Sequence, residues 1–369
     1  MASFKKRTNK KGEVSYQATI YVGRDAAGKQ VFEYVTRPTL KECKAAAREV
    51  EQEIQEGRYI NLGNMRLAAW VDKWLELNEA RLSPSTLVSY RIYADVHYKP
   101  YFGQIKLKQL SELHIREYLN GKLKVLSPTT VRKHFFVLRR MLQDIMKHKN
   151  PAKDIPAPVA EDYQPRVPTA AEFLTLLESV RGTRDEIVIL LAGWCGLRRG
   201  EIFALKWDDI DYEGLTIRID EARAISLDGY VDKKPKSKKG VRVVAVPGEL
   251  LDLIREYRKS LDVVDERIFP VRPDHYSTYF GGLVAAAGLP DAIRFHDLRH
   301  YHASWLYDQG IPDQYAADRL GHDIQVLKGI YQHIGVDKER ELDDKVRRLH
   351  LQDKGAKGQT VPNKMPNKK

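Results

Sequence analysis

The residues best equipped for chemistry are His296 and Arg299, three apart, followed by His322 in Leu320-Gly321-His322 and then by Tyr331. A guanidinium such as that of Arg299 can clamp a phosphate oxygen, and a tyrosine oxygen such as that of Tyr331 can attack phosphorus. Imidazoles such as those of His296 and His322 can stand on the proton-transfer path. None of these steps needs a metal. On a helix, positions i and i+3 share a face, so one phosphate can meet both His296 and Arg299. Upstream lies Gly196-Leu197-Arg198-Arg199-Gly200-Glu201. An arginine near a helix start, as Arg198 would be, can fork onto two phosphate oxygens, and Glu201 at i+3 can orient it. A surface ion pair is the ordinary alternative for that motif.

Other readings of the same residues are weaker. His296, His300, His302 and His322 cluster in sequence, which raises zinc, but structural zinc sites bring cysteines at recognisable spacings and only Cys43 and Cys195 are present. No metal and no cofactor is therefore expected. Lys236, Lys238 and Lys239 fall between two short strands read over Leu215–Ile219 and Arg242–Val246, where a solvated hairpin tip is the default.

The elements that must position these residues are read from composition and periodicity. With 369 residues, 43% of them apolar, the chain has room for two or three cores. Lys and Arg outnumber Asp and Glu by 62 to 50, a net +12, which favours a polyanionic partner. The basic N-terminus lacks the apolar run of a signal peptide and no segment is apolar for long enough to span a bilayer, so a soluble cytoplasmic protein is expected. Two well-separated cysteines give no disulfide framework and fit a reducing compartment.

The expected fold class is multidomain and mainly α with small β-sheets. Residues 1–60 read as a small α+β domain: runs at Ser15–Val22 and Lys29–Thr36 flank a Gly23–Gly28 loop, and Thr39 with Glu42 can cap a helix reaching about Glu56. A leading arm carries Lys5, Lys6, Arg7, Lys10 and Lys11; it suits a DNA groove, or serves as a solubilising tail. Residues 65–150 read as helical, with Ser83-Pro84 and Ser127-Pro128 as starts, and with Val131, Phe135, Leu138, Leu142 and Ile145 on one face of a helix running from Pro128 to His148. Residues 151–167, with four prolines, read as a stiff linker, 168–347 as a mixed, mostly α domain, and 348–369 as a basic disordered tail.

The set Arg198, His296-x-x-Arg299, Leu320-Gly321-His322 and Tyr331, in this order and at these separations, resembles the catalytic signature of the tyrosine recombinases, the phage integrase family. The match covers Pro168 to Val346 directly. The helical part before it resembles the family's core-site-binding domain, and residues 1–60 resemble the arm-site-binding domain of phage and conjugative-transposon integrases. The resemblance implies that Arg198 and Arg299 clamp the phosphate, that Tyr331 is the nucleophile, that His296 and His322 handle protons, and that Glu201 supports Arg198. It places the family's lysine, general acid to the leaving 5′-oxygen, at Lys236, with Lys238 and Lys239 as alternatives. It further implies double-stranded attachment sites of core and arm type, a homo-tetramer on DNA, a DNA-bending host factor and an excision factor as partners, and no membrane. A type IB topoisomerase generally lacks a histidine where His296 stands. A Xer-type recombinase generally lacks anything like residues 1–60, and a non-enzymatic regulator leaves Tyr331 unexplained.

Overall fold

A computed structural model describes residues 2–8, 12–24, 27–60, 62–161, 166–235, 240–263, 265–321 and 323–325. It falls into two compact units that divide after Glu161.

The first unit opens with an antiparallel sheet in the order β1 (Ser3–Thr8), β2 (Val14–Arg24) and β3 (Gln30–Arg37). Lys5, Lys6 and Arg7, expected in a free arm, lie in β1, paired with Gln17, Tyr16 and Ser15 of β2. Every residue of β1 is exposed. Lysine on an edge strand discourages pairing with another chain, and that same composition makes the segment read as a tail. Helix α1 (Leu40–Gln55) starts at Thr39, whose hydroxyl accepts from the Glu42 N–H at 3.2 Å, and it buries Cys43 and Ala47 against Ala18 and Ile20.

A helical part follows: α2 (Leu67–Asn78), α3 (Pro84–Ile92), a π-helical segment Tyr93–Tyr98, α4 (Lys99–Phe102), α5 (Glu112–Leu123) and α6 (Pro128–Met146). The Ser127 hydroxyl accepts from the Thr130 N–H, whereas that of Ser83 meets the Thr86 hydroxyl instead of a backbone group. Val131, Phe135, Leu138 and Leu142 of α6 are fully buried, each stabilising the unit by about 1.5–3 kcal/mol. The stretch read as a linker from residue 151 does not hang free at its start. Ala152 and Ile155 are buried in this core, and Arg132 Nη1 donates to the Pro158 carbonyl at 2.9 Å. Isolated apolar residues among prolines carry no period, so sequence could not reveal that packing.

The second unit is built on α8 (Arg184–Gly193), which is buried throughout from Ile187 to Gly193. Before it, α7 (Ala170–Ser179) begins with the expected reciprocal cap, Glu172 N–H to the Thr169 hydroxyl and Thr169 N–H to the Glu172 carboxylate. Next come α9 (Arg199–Ile202) and a three-stranded antiparallel sheet of β4 (Ile210–Asp211), β5 (Thr216–Ile219) and β8 (Arg242–Ala245). Inserted between β5 and β8 is a hairpin, β6 (Ala222–Ser226) and β7 (Gly229–Lys233), which the sequence reading passed over because neither run alternates cleanly. The helices α10 (Gly248–Lys259), α11 (Pro273–Ala286), α12 (Asp297–Asp308) and α13 (Asp313–Leu320) follow among the described residues. Mostly helical units with small sheets are thus what the fold class anticipated. Among the described residues, no helix is long and apolar enough to cross a membrane.

Candidate active site

Three elements bring the predicted residues together. His296 stands just before the first residue of α12, which places Arg299 in its first turn. Arg198 precedes the first residue of α9, and Glu201 lies one turn on, its carboxylate accepting the Arg198 backbone N–H at 2.8 Å. Two glycines shape the approach. Gly196 (φ +67°) turns the chain out of α8, and its own carbonyl accepts from Arg299 Nη1. Gly321 (φ +61°) ends α13 in the left-handed conformation that glycine adopts without a Cβ clash.

The two arginines converge from distant parts of the sequence. Arg198 Nη2 donates to the Gly321 carbonyl at 2.8 Å and Arg299 Nη2 to the adjacent Leu320 carbonyl. Both also face Glu201, with Arg198 Nη1 on Oε1 at 2.8 Å and Arg299 Nη1 at 4.0 Å from Oε2. Arg299 is 1% exposed, while Arg198 keeps a third of its side chain open and lines a cleft of about 650 Å³ with Arg199, Ser277, Arg294, Phe295 and His296. Such a cleft, lined by three arginines among apolar side chains and Asp291, suits an anion carried on a larger ligand.

Electrostatics explain why this many charges tolerate burial. Desolvation alone would raise the Glu201 carboxyl, but hydrogen bonds and charge from Arg242, then the charges of Arg299 and Arg198, hold it down at about 2. Burial, then the neighbouring Arg198, works against the charged form of Arg299, and Glu201 is the counter-charge that opposes them. His296 is pushed down to about 4, first by desolvation and then by His300, Arg299, Arg198 and Arg199. The ring is therefore neutral at pH 7 and able to accept a proton.

Of the residues singled out from sequence, Arg198, Glu201, His296 and Arg299 thus share one site, while Lys236, Lys238, Lys239, His322 and Tyr331 lie outside the described residues. The flanks of the lysine segment are in place: Pro235 and Gly240 touch so closely that a Cβ on Gly240 would fall 2.1 Å from the Pro235 Cβ. Sequence reasoning missed two residues of the site. Arg242 donates to both oxygens of Glu201, at 3.1 and 2.9 Å. Arg319 bonds His302 Nε2 at 3.1 Å and the Ala245 carbonyl at 3.0 Å. A signal for Arg242 existed. Alternation along β8 puts it on the same face as the buried Val244 and Val246, and an arginine on an inward strand face needs a buried partner.

Comparison with known proteins gives the family. The phage integrase family matches residues 167–337, and the N-terminal SAM-like domain of phage integrases matches residues 66–123, together more than half of the chain. A XerC-like tyrosine recombinase from Caldanaerobacter subterraneus subsp. tengcongensis is 26% identical over 89% of this chain and 95% of its own length. The ICEBs1 integrase of Bacillus subtilis is 23% identical over 90% of this chain and 96% of its own. Among solved structures, the Tn1549 transposon integrase (its residues 82–397) in complex with transposon right end DNA shares the fold, with a TM-score of 0.63, 22% identity, and coverage of 77% of this chain and all of that one. The chain belongs to the phage integrase family and is a tyrosine site-specific recombinase.

Proposed function

We propose that this chain integrates and excises a mobile genetic element such as a prophage or conjugative transposon, by cutting and rejoining DNA at attachment sites. Tyr331 attacks the scissile phosphorus, forming a 3′-phosphotyrosyl bond as the bond to the 5′-oxygen breaks, and Lys236 gives that oxygen its proton. Arg198 and Arg299 bind the non-bridging oxygens, where negative charge grows in the transition state, and so perform part of what a metal does in other phosphoryl transfers. His296, neutral at pH 7, and His322 hold or move protons beside them. Because the link conserves the bond energy, another strand's 5′-hydroxyl reverses the step without ATP.

The observation that supports this reading most strongly is the convergence of Arg198 and Arg299 on one buried carboxylate and on two consecutive carbonyls, those of Gly321 and Leu320. Such an arrangement pre-pays the positioning of two cations before any phosphate arrives. The helical part of the first unit would hold core sites and the sheet domain arm sites, in a tetramer assisted by a DNA-bending host factor and an excision factor.

An intermolecular assay tests the reading. Two plasmids carrying candidate attachment sites are incubated with the protein in the absence of divalent metal and ATP. Recombinant plasmids are expected, with none from Tyr331→Phe. Relaxation of supercoils without partner exchange would point instead to a topoisomerase. A chain lacking residues 1–60 is expected to cleave core sites yet fail to integrate.

A further inference from the structure

Arg242 does not meet the cleft. Its side chain is 6% exposed and all three of its nitrogens are engaged, by both oxygens of Glu201, by the Arg319 carbonyl at 2.7 Å, and by the Gly240 carbonyl at 3.2 Å. These partners belong to three separate pieces of the site: Glu201 in α9, the turn before β8, and the end of α13 next to the Leu320 and Gly321 carbonyls that hold the clamp arginines. We propose that Arg242 is a positioning residue for strand cleavage, fixing Glu201 so that Glu201 in turn fixes Arg198. The inference rests on the proposed roles of Arg198 and Arg299.

The charge balance gives Arg242 a role that simple packing would not. The charged groups facing the Glu201 carboxylate are Arg198 at its own helix start, Arg242 on β8 and Arg299 on α12. Arg242 supplies the bidentate pair, while Arg198 gives one side-chain bond and Arg299 stands at 4.0 Å. A neutral side chain in place of Arg242 leaves a buried carboxylate short of its main partner. Its affinity for a proton must then rise, and a protonated Glu201 releases its grip on Arg198. A residue that only filled space would leave that protonation untouched.

The test uses the full chain with Arg242→Met, Arg242→Lys, Glu201→Gln and the Met/Gln double variant. Covalent adduct formation on nicked DNA is followed from pH 8 down to pH 5, with DNA binding and thermal melting measured alongside. Arg242→Met is expected to slow adduct formation about 100-fold with DNA binding kept, as a small misplacement of a reacting group would. Its rate should fall further as the pH drops, a dependence that disappears in the double variant. Arg242→Lys should restore the wild-type pH profile while recovering only part of the rate. At pH 7 Arg242→Met should cost less in melting temperature in the Glu201→Gln background than in the wild type, because the charge pair it breaks is already gone. Wild-type cleavage by Arg242→Met, or a defect that is independent of pH and simply adds to that of Glu201→Gln, would overturn the inference. If even the wild type forms no adduct, the functional reading fails, and the melting comparison still decides whether Arg242 holds Glu201.

Discussion

Two buried polar clusters, one in each unit, handle charge in opposite ways. In the first, His134 is 1% exposed, with the rings of Tyr93 and His97 each 4.4 Å away, the Tyr118 hydroxyl 3.3 Å from Nδ1, and the Tyr98 hydroxyl donating to its carbonyl at 2.7 Å. Burial first, then His97 and Lys122, pushes this imidazole down to about 4, so the cluster stays neutral. In the second, Glu201, Arg242 and Arg299 are nearly as buried, and with the more open Arg198 three guanidinium groups face one carboxylate. Burying ions is costly, and well-packed apolar residues would often stabilise as much. A neutral cluster can be explained by packing alone, whereas retained buried charge with surplus arginine points to a use for that charge.

The contrast predicts where the molecule breaks. Removing the shared counter-ion with Glu201→Ala should have the largest effect, about 3–5 kcal/mol of stability by chemical denaturation, since three cations then face one another. Arg299→Ala should slow adduct formation by about 10²–10³-fold while a gel-shift assay still shows DNA binding, because the lost charge is aimed at the transition state. Gly196→Ala should lower stability by about 1–3 kcal/mol in thermal melts. The new Cβ would fall 2.5 Å from Leu320 Cδ2 and 2.6 Å from His302 Cδ2 at a φ of +67°, displacing the carbonyl that holds Arg299.

The neutral cluster should show itself through acid. His134 has its folded value lowered from 6.5 to about 4, so its contribution is complete above pH 6.5 and is lost as the pH falls toward 4. His134→Phe, which cannot titrate, should therefore lose protection of α6 amides less steeply over that window by hydrogen exchange. A steeper loss would contradict the assignment. At the small end, Lys73→Ala removes an exposed pair with Glu76 at 3.1 Å and should change stability by less than about 0.5 kcal/mol.

Helix starts were legible because they obey local rules: Thr169 with Glu172, and Ser127 before Pro128, form the caps their spacing foretells. The gathering of Arg198, Glu201, His296 and Arg299 was legible only through the resemblance to the tyrosine recombinases, because the Arg198 motif taken alone reads as a surface ion pair. What escaped was decided by tertiary pairing. β1 hides behind its lysines, the β6–β7 hairpin has no clean alternation, and Ala152 and Ile155 find a core that no local pattern announces. Arg242 escaped for a related reason. Read in isolation it is a charge at the start of a strand, and only the inward face it shares with Val244 and Val246 marks it as buried.

Covalent joining of Tyr331 to DNA, as proposed here with Arg198 and Arg299 holding the phosphate, is open to direct test. Wild type and Tyr331→Phe would be incubated without divalent metal with nicked suicide substrates carrying candidate attachment sequences, then resolved on a denaturing gel. A protein–DNA adduct formed by the wild type and absent from Tyr331→Phe is the predicted result. An adduct that persists in Tyr331→Phe, or bound DNA with no adduct across a broad set of sites, would contradict it.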